Sequence, residues 1–229
     1  MFEYEYQLTR PAEDWLKGQG LETKREFPTP WGVCDLAGCS FNRDNVRLRL
    51  SHGQNKPVGT QLRVMILSLI PDIEKGRGIT RESLQKKFRD LLDGSKIERE
   101  VGKLIEDKFV RVTKRGSFQK VNGWMPLHEK IVALELKLSR VKDVFYQAAS
   151  HLEFADESYV GLPMETAKRL INSNRKDDFV NKGIGVLGIT SNEARVLLNS
   201  NSTISKPNHI LQAHCVERFW RTYPKDNLA

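Results

Sequence analysis

Cysteine is scarce: three in 229 residues, which is too few and too odd in number for a disulfide framework, so a reducing compartment is expected. Long apolar runs are missing as well, and none approaches the ~18 residues that cross a bilayer. The opening MFEYEYQLTR carries two acids and no apolar block, which argues against a signal peptide. Glycine (16) and proline (9) are thinly spread and no repeat is present, so collagen-like, coiled-coil and disordered classes do not fit. There is neither a P-loop nor a G-x-S-x-G elbow. These absences leave a soluble, cytoplasmic protein of one large domain or two small ones, long enough to bury a real core.

What the chain does have is positive charge, unevenly placed. Its formal net charge is +8. Residues 61–125 hold 15 Lys and Arg against 9 Asp and Glu, a balance of +6 that leaves +2 for the other 164 positions. A basic module in a nearly neutral chain suggests a polyanion partner, most plausibly nucleic acid; a solvated lysine-rich surface is the alternative.

Three stretches follow from the pattern. In the first, a helix begins near Thr9–Pro11 and stops at Gly18 and Gly20. Extended runs over 23–27 and 32–41 come next. The alternation of Val46, Leu48 and Leu50 with Arg47 and Arg49 predicts a half-exposed strand over 45–50. The second stretch reads as three short helices, around 62–70, after Thr80, and after Ser95. On the last of these Ile97, Val101, Leu104 and Ile105 face inward, and Lys96, Arg99, Glu100 and Lys103 outward. A hairpin follows over 109–121, with Lys114-Arg115-Gly116-Ser117 at its tip. Three helices and a basic-tipped hairpin resemble a winged helix, whose third helix lies in the major groove while the hairpin touches phosphate. Its expected phosphate contacts are Lys96, Arg99, Lys103, Lys114 and Arg115. The third stretch alternates strands (131–138, 158–162, 185–189, 194–198) with helices (143–154, 164–171, 210–223), as an α/β sheet does.

Two charged conflicts stand out. Glu135 and Lys137 interrupt the apolar run Ile131–Leu138 and share one strand face; burying them is costly unless they pair with each other or with a ligand. The other E-x-K triplets, at 22–24 and 106–108, sit in polar surroundings. Asp35 lies among small and apolar residues in Trp31-Gly32-Val33-Cys34-Asp35-Leu36-Ala37. Were Asp35 and Glu135 on adjacent strands, a divalent cation would best relieve their repulsion, and Mg²⁺ binds through one or two carboxylates plus substrate phosphate. A structural Glu–Lys pair is the plainer alternative.

Gly32-Val33-Cys34-Asp35-Leu36-Ala37 followed by Ala133-Leu134-Glu135-Leu136-Lys137 resembles the PD-(D/E)XK nuclease superfamily, which includes restriction endonucleases, Holliday-junction resolvases and recombination exonucleases. The resemblance implies an α/β fold with a restriction-endonuclease-like mixed central sheet flanked by helices, formed by residues 1–58 and 126–229, with a winged-helix domain inserted at 59–125. It implies Asp35, Glu135 and Leu136 as ligands of Mg²⁺ (Mn²⁺ as substitute) and Lys137 as the catalytic lysine. It also implies an acid from the first helix, matched by Glu13 ahead of Glu26, and a glutamine after the E-x-K strand, matched by Gln147. Cys34 stands where the name-giving proline would be, and His151 where the exonuclease branch has tyrosine.

The expected activity is metal-dependent cleavage of double-stranded DNA in the cytoplasm, at the nucleoid, with a homodimer for double-strand cutting and no membrane. A non-catalytic DNA-binding regulator and an RNA-processing nuclease are the alternatives. Gly183-Ile184-Gly185-Val186-Leu187-Gly188 matches G-x-G-x-x-G only formally, and close backbone packing is the better reading. Cys34, Cys39, His214 and Cys215 lack zinc-ligand spacing and read as core residues. Trp15, Trp31 and Trp124 are expected in core or interdomain packing, and Trp220 against the last helix.

Overall fold

A computed structural model describes residues 2–89, 91–122 and 124–224. After a short 3-10 turn at Glu5–Leu8, the elements are α1 (Thr9–Gly18), β1 (Glu22–Thr29), β2 (Gly32–Phe41), α2 (Arg43–Ser51), α3 (Gln61–Leu69), α4 (Arg81–Lys86), α5 (Gly94–Glu106), β3 (Val110–Val112), β4 (Phe118–Lys120), β5 (His128–Leu136), α6 (Val141–His151), β6 (Glu157–Pro163), α7 (Met164–Ile171), α8 (Lys176–Lys182), β7 (Gly185–Ile189), β8 (Ala194–Leu198) and α9 (His209–Trp220). The protein is mixed α/β. No helix among the described residues is long and apolar enough to cross a membrane.

Two compact units divide the chain: residues 1–40 with 128–212, and residues 41–127 with 213 onward. The first holds a six-stranded sheet in the order β1-β2-β5-β6-β7-β8. The β1–β2 and β7–β8 pairs are antiparallel and the β5–β6 and β6–β7 pairs parallel. Strand alternation puts Leu134 and Leu136 on one face with Leu8, Ala12 and Leu16 from the first helical segment. Val160, Leu162 and Val186 line the other face with Val144 and Ala148 of α6, Leu170 of α7 and Phe179 of α8. The sheet therefore lies between two helical layers. The glycines of β7 serve packing, since a Cβ on Gly185 would meet the Tyr159 ring at 2.2 Å.

The second unit contains α2 to α5, the β3–β4 hairpin and the end of α9. Thr60 and Thr80 cap α3 and α4, each accepting the backbone N–H three residues on. Ile97, Val101 and Leu104 of α5 are buried, as their spacing predicts, while Ile105 is exposed. Glu100, expected outward, is buried and accepts a hydrogen bond from Arg63.

The largest departure is at 45–50. This segment is helical, because Asn42 accepts the Asn45 N–H at 3.0 Å and starts α2. The helical period then buries Val46 and Arg49 and exposes Leu48. Arg49 makes a two-pronged pair with Glu217 of α9, at 2.5 and 2.8 Å. Accordingly α2 and the end of α9 fall in the second unit, whereas reading 45–50 as a strand leaves both with the sheet. Trp31, expected to pack, is 49% exposed beside the β1–β2 turn. Trp15 meets Tyr159 edge-on at 5.2 Å, and Trp220 is fully buried.

Candidate functional site

The site forms where β2 lies beside β5. Along β1–β2 the paired register runs Arg25–Leu36 and then Phe27–Cys34. Between them Glu26 has φ +48°, a left-handed conformation costly for a residue with a Cβ. Side chains change faces here. Arg25 bonds to Glu13 of α1 and Leu36 packs on the α1 side, whereas Phe27 packs on Phe154, which follows α6, at 6.0 Å. At this break the Asp35 carboxylate reaches β5, where Oδ2 accepts the Leu136 N–H at 2.7 Å.

Glu135 is 1% exposed. Its Oε1 lies 3.9 Å from Lys137 Nζ, and its Oε2 lies 3.8 Å from His151 Nε2 on α6. The two oxygens face different surroundings, and among the described residues Oε2 has no hydrogen-bond partner. Burial, then the charge of Asp35, push the Glu135 pKa up to about 7 against the pull of Lys137. Burial likewise raises Asp35, opposed by the Leu136 N–H and Lys137. Burial holds the His151 imidazole down at about 4, so at neutral pH it is uncharged and its contact with Glu135 is not an ion pair.

The structure thus brings Asp35, Glu135, Leu136 and Lys137 together. Gln147 joins them at one remove: it lines an open cleft of about 520 Å³ with Lys137, Arg140, Asp143, Tyr146 and Glu5. Glu13 is elsewhere, bonded by Arg25, Lys17 and Thr23. Burial would raise it, but those bonds prevail and hold its carboxyl down at about 2. The acid that does lie beside them is Glu5, whose Oε2 accepts from Lys137 Nζ at 3.2 Å and whose charge reaches both Asp35 and Glu135. Glu26 reaches Asp35 only through its charge. Glu5 lies in the turn before α1, outside the helical pattern that marks Glu13, and no local sequence signal points to it.

The five basic residues expected at a nucleic-acid surface all lie in the second unit and are exposed: Lys96, Arg99 and Lys103 on α5, Lys114 and Arg115 in the hairpin turn.

Two donor sets share Glu135. Asp35, Glu135 and Glu5 offer carboxylate oxygens, which suit a hard divalent cation. Cys34 Sγ, a Glu135 oxygen and a His151 nitrogen lie within 4.8 Å of one another, all buried, and suit a borderline ion such as zinc. Cys34 is already engaged, however, with the carbonyls of Leu36 at 3.0 Å and Leu134 at 3.6 Å. Burial drives its thiol pKa far up, so it stands as a protonated donor. All three cysteines are buried, and none is in a disulfide.

No protein-family model matches the chain, and no curated protein matches it in sequence. Among solved structures, the SPO1766 protein of unknown function from Silicibacter pomeroyi aligns with a TM-score of 0.45 at 11% identity, over 95% of this chain and 84% of that one.

Proposed function

We propose that the protein is a metal-dependent nuclease that hydrolyses phosphodiester bonds in double-stranded DNA, with a restriction-endonuclease-like sheet and a winged helix as its DNA-binding part. The observation that carries this reading is the meeting of Asp35 with Glu135 and Lys137, charged groups from two distant sequence stretches, at adjoining strands of one sheet.

Three carboxylates, of Asp35, Glu135 and Glu5, gather around one ammonium, that of Lys137. This excess of negative charge fits a divalent cation better than a closed structural pair. Asp35, Glu135 and the backbone of Leu136 would hold Mg²⁺ or Mn²⁺, with Glu5 nearby. The bound ion supplies phosphate polarisation and a water of lowered pKa. Lys137 is held by Glu5 and Glu135 at the edge of the cleft, where its ammonium stabilises charge developing on the phosphate. Gln147 and Arg140 share that cleft and orient the phosphate backbone. In the second unit, helices α3 to α5 and the β3–β4 hairpin match the winged-helix order, and their exposed Lys96, Arg99, Lys103, Lys114 and Arg115 contact phosphates. One site cuts one strand, so double-strand cutting needs two copies.

The test is cleavage of supercoiled and linear duplex DNA in Mg²⁺ or Mn²⁺ against EDTA, for wild type and Glu135→Ala, with RNA run beside DNA. Metal-dependent nicking lost in the variant is the expected result. Salt-sensitive binding without cleavage by either protein would overturn the nuclease reading in favour of a DNA-binding regulator. Cleavage of RNA alone would move the substrate class.

A further inference from the structure

Beside the cleft of Glu5 and Lys137 lies a second open groove of about 550 Å³ in the same unit, and Tyr146 lines both. Its lining divides by chemistry. Val141 and Phe145 sit four apart on α6 and share one helical face. Phe145 meets Phe179 of α8 edge-on, with ring centroids 5.0 Å apart. These residues make an apolar, aromatic lining. Lys142, Arg175 and Lys182 line the same groove and are exposed, against a single acid, Asp178. None of the three cations is in an ion pair with another described residue. Tyr146 is 62% exposed and stands edge-on to Phe145 at 5.6 Å. An aromatic ring left open to water is ordinary when isolated. Here it divides a cationic groove from a cleft that holds a candidate catalytic lysine.

We infer that this groove is a nucleotide subsite that takes one unpaired nucleotide adjoining the scissile phosphate. The base stacks on Tyr146 beside the half-buried Phe145, while Lys142, Arg175 and Lys182 hold its flanking phosphates. Ring faces attract bases of any identity, whereas in continuous duplex those faces are already covered by neighbouring pairs. A duplex offers this groove only phosphate, and the aromatic lining then goes unused. The favoured substrate is therefore DNA with an unpaired nucleotide at the cut: an overhang, a flap or a bubble. The position of this nucleotide next to the cut rests on the nuclease reading; binding of the unpaired nucleotide does not.

The test uses the whole 229-residue chain carrying Glu135→Ala, so that binding is measured without turnover. Fluorescence anisotropy compares a labelled single strand, a blunt duplex and the same duplex with an overhang. Single strand and overhang should bind tighter than blunt duplex. Tyr146→Ala should weaken them by about 5- to 100-fold, the stacking of one base, and Tyr146→Phe should restore binding. Replacing Lys142, Arg175 and Lys182 by alanine should flatten the salt slope for single strands by about 2. Tyr146 is exposed, so Tyr146→Ala should melt as the parent does. No preference for unpaired ends, or a Tyr146→Ala variant that binds all three probes as before, would overturn the subsite. Cleavage assays with Glu135 intact separate the two ideas. Tyr146-dependent binding without metal-dependent cleavage keeps the subsite and sinks the nuclease. Cleavage indifferent to Tyr146 and to unpaired ends does the reverse.

Discussion

Asp35 on β2 accepts the backbone N–H of Leu136 on β5 at 2.7 Å, so a candidate metal ligand also satisfies a main-chain N–H of the neighbouring strand. The two roles separate by substitution. Asp35→Asn keeps an oxygen that accepts the Leu136 N–H and removes the charge. Burial raises the Asp35 pKa, so at neutral pH this variant should be at least as stable as wild type, while metal-dependent cleavage disappears. Asp35→Ala orphans the N–H and should cost about 1–3 kcal/mol more. Equal stability of the two variants in urea would show that the bond contributes nothing.

Glu135 should destabilise the fold that presents it. Its pKa rises from 4.5 to about 7, chiefly through burial. Between those values the native chain keeps a proton that the unfolded chain has released, so stability falls as pH rises through that window and levels off above it. Glu135→Gln removes the ionisation. It should match wild type below pH 4.5 and exceed it by about 2–3 kcal/mol at pH 8, with cleavage lost. Chemical denaturation at acid and alkaline pH reads this directly, and a stability difference independent of pH would contradict it.

Glu13 and Glu5 should behave oppositely. Glu13 has its pKa held at about 2 by Arg25, Lys17 and Thr23 against the effect of burial. Its stabilisation is therefore present above pH 4.5 and lost as pH falls toward 2. Arg25 and Lys17 are more than half exposed, so solvent screening limits the loss in Glu13→Gln to about 1–2 kcal/mol at pH 7, with catalysis unchanged. Glu5→Gln should leave the melting temperature alone and lower metal-dependent cleavage about 10- to 100-fold, as loss of a group that positions Lys137 does. Reversed phenotypes would return the first-helix acid to the site.

How far the sequence led depends on the range of the interactions involved. The strands around Asp35 and Glu135 were legible because each is a short, nearly continuous apolar run, and the charges interrupting those runs mark the site. Thr80 marked the start of α4, which it caps, whereas α5 begins one residue before Ser95, at Gly94. Glu5 was not legible, since its meeting with Lys137 joins residues 132 apart and it precedes the helix whose pattern drew attention to Glu13. At 45–50 the alternating pattern is compatible with a strand. The cap from Asn42 and the distant Glu217 decide for a helix, and nothing local marks Arg49 as buried. The change of faces at Glu26 and Asp35 is a backbone event at two ordinary residues, invisible to residue type.

The Arg49–Glu217 pair should be the most sensitive point of the second unit. Both side chains are 2–3% exposed. Arg49 also donates to the carbonyls of Gln54 and Lys56 and stacks over Trp220 at 4.7 Å and Phe109 at 5.0 Å. Glu217 in turn accepts the Val58 N–H at 2.7 Å. Removing one partner buries the other charge alone, so Arg49→Ala and Glu217→Ala should each cost about 3–5 kcal/mol. The double variant should lose clearly less than their sum, because the second substitution removes the charge that the first one stranded. Additive losses in a urea double-mutant cycle would mean that Arg49 acts through its aromatic and carbonyl contacts and not through its carboxylate partner.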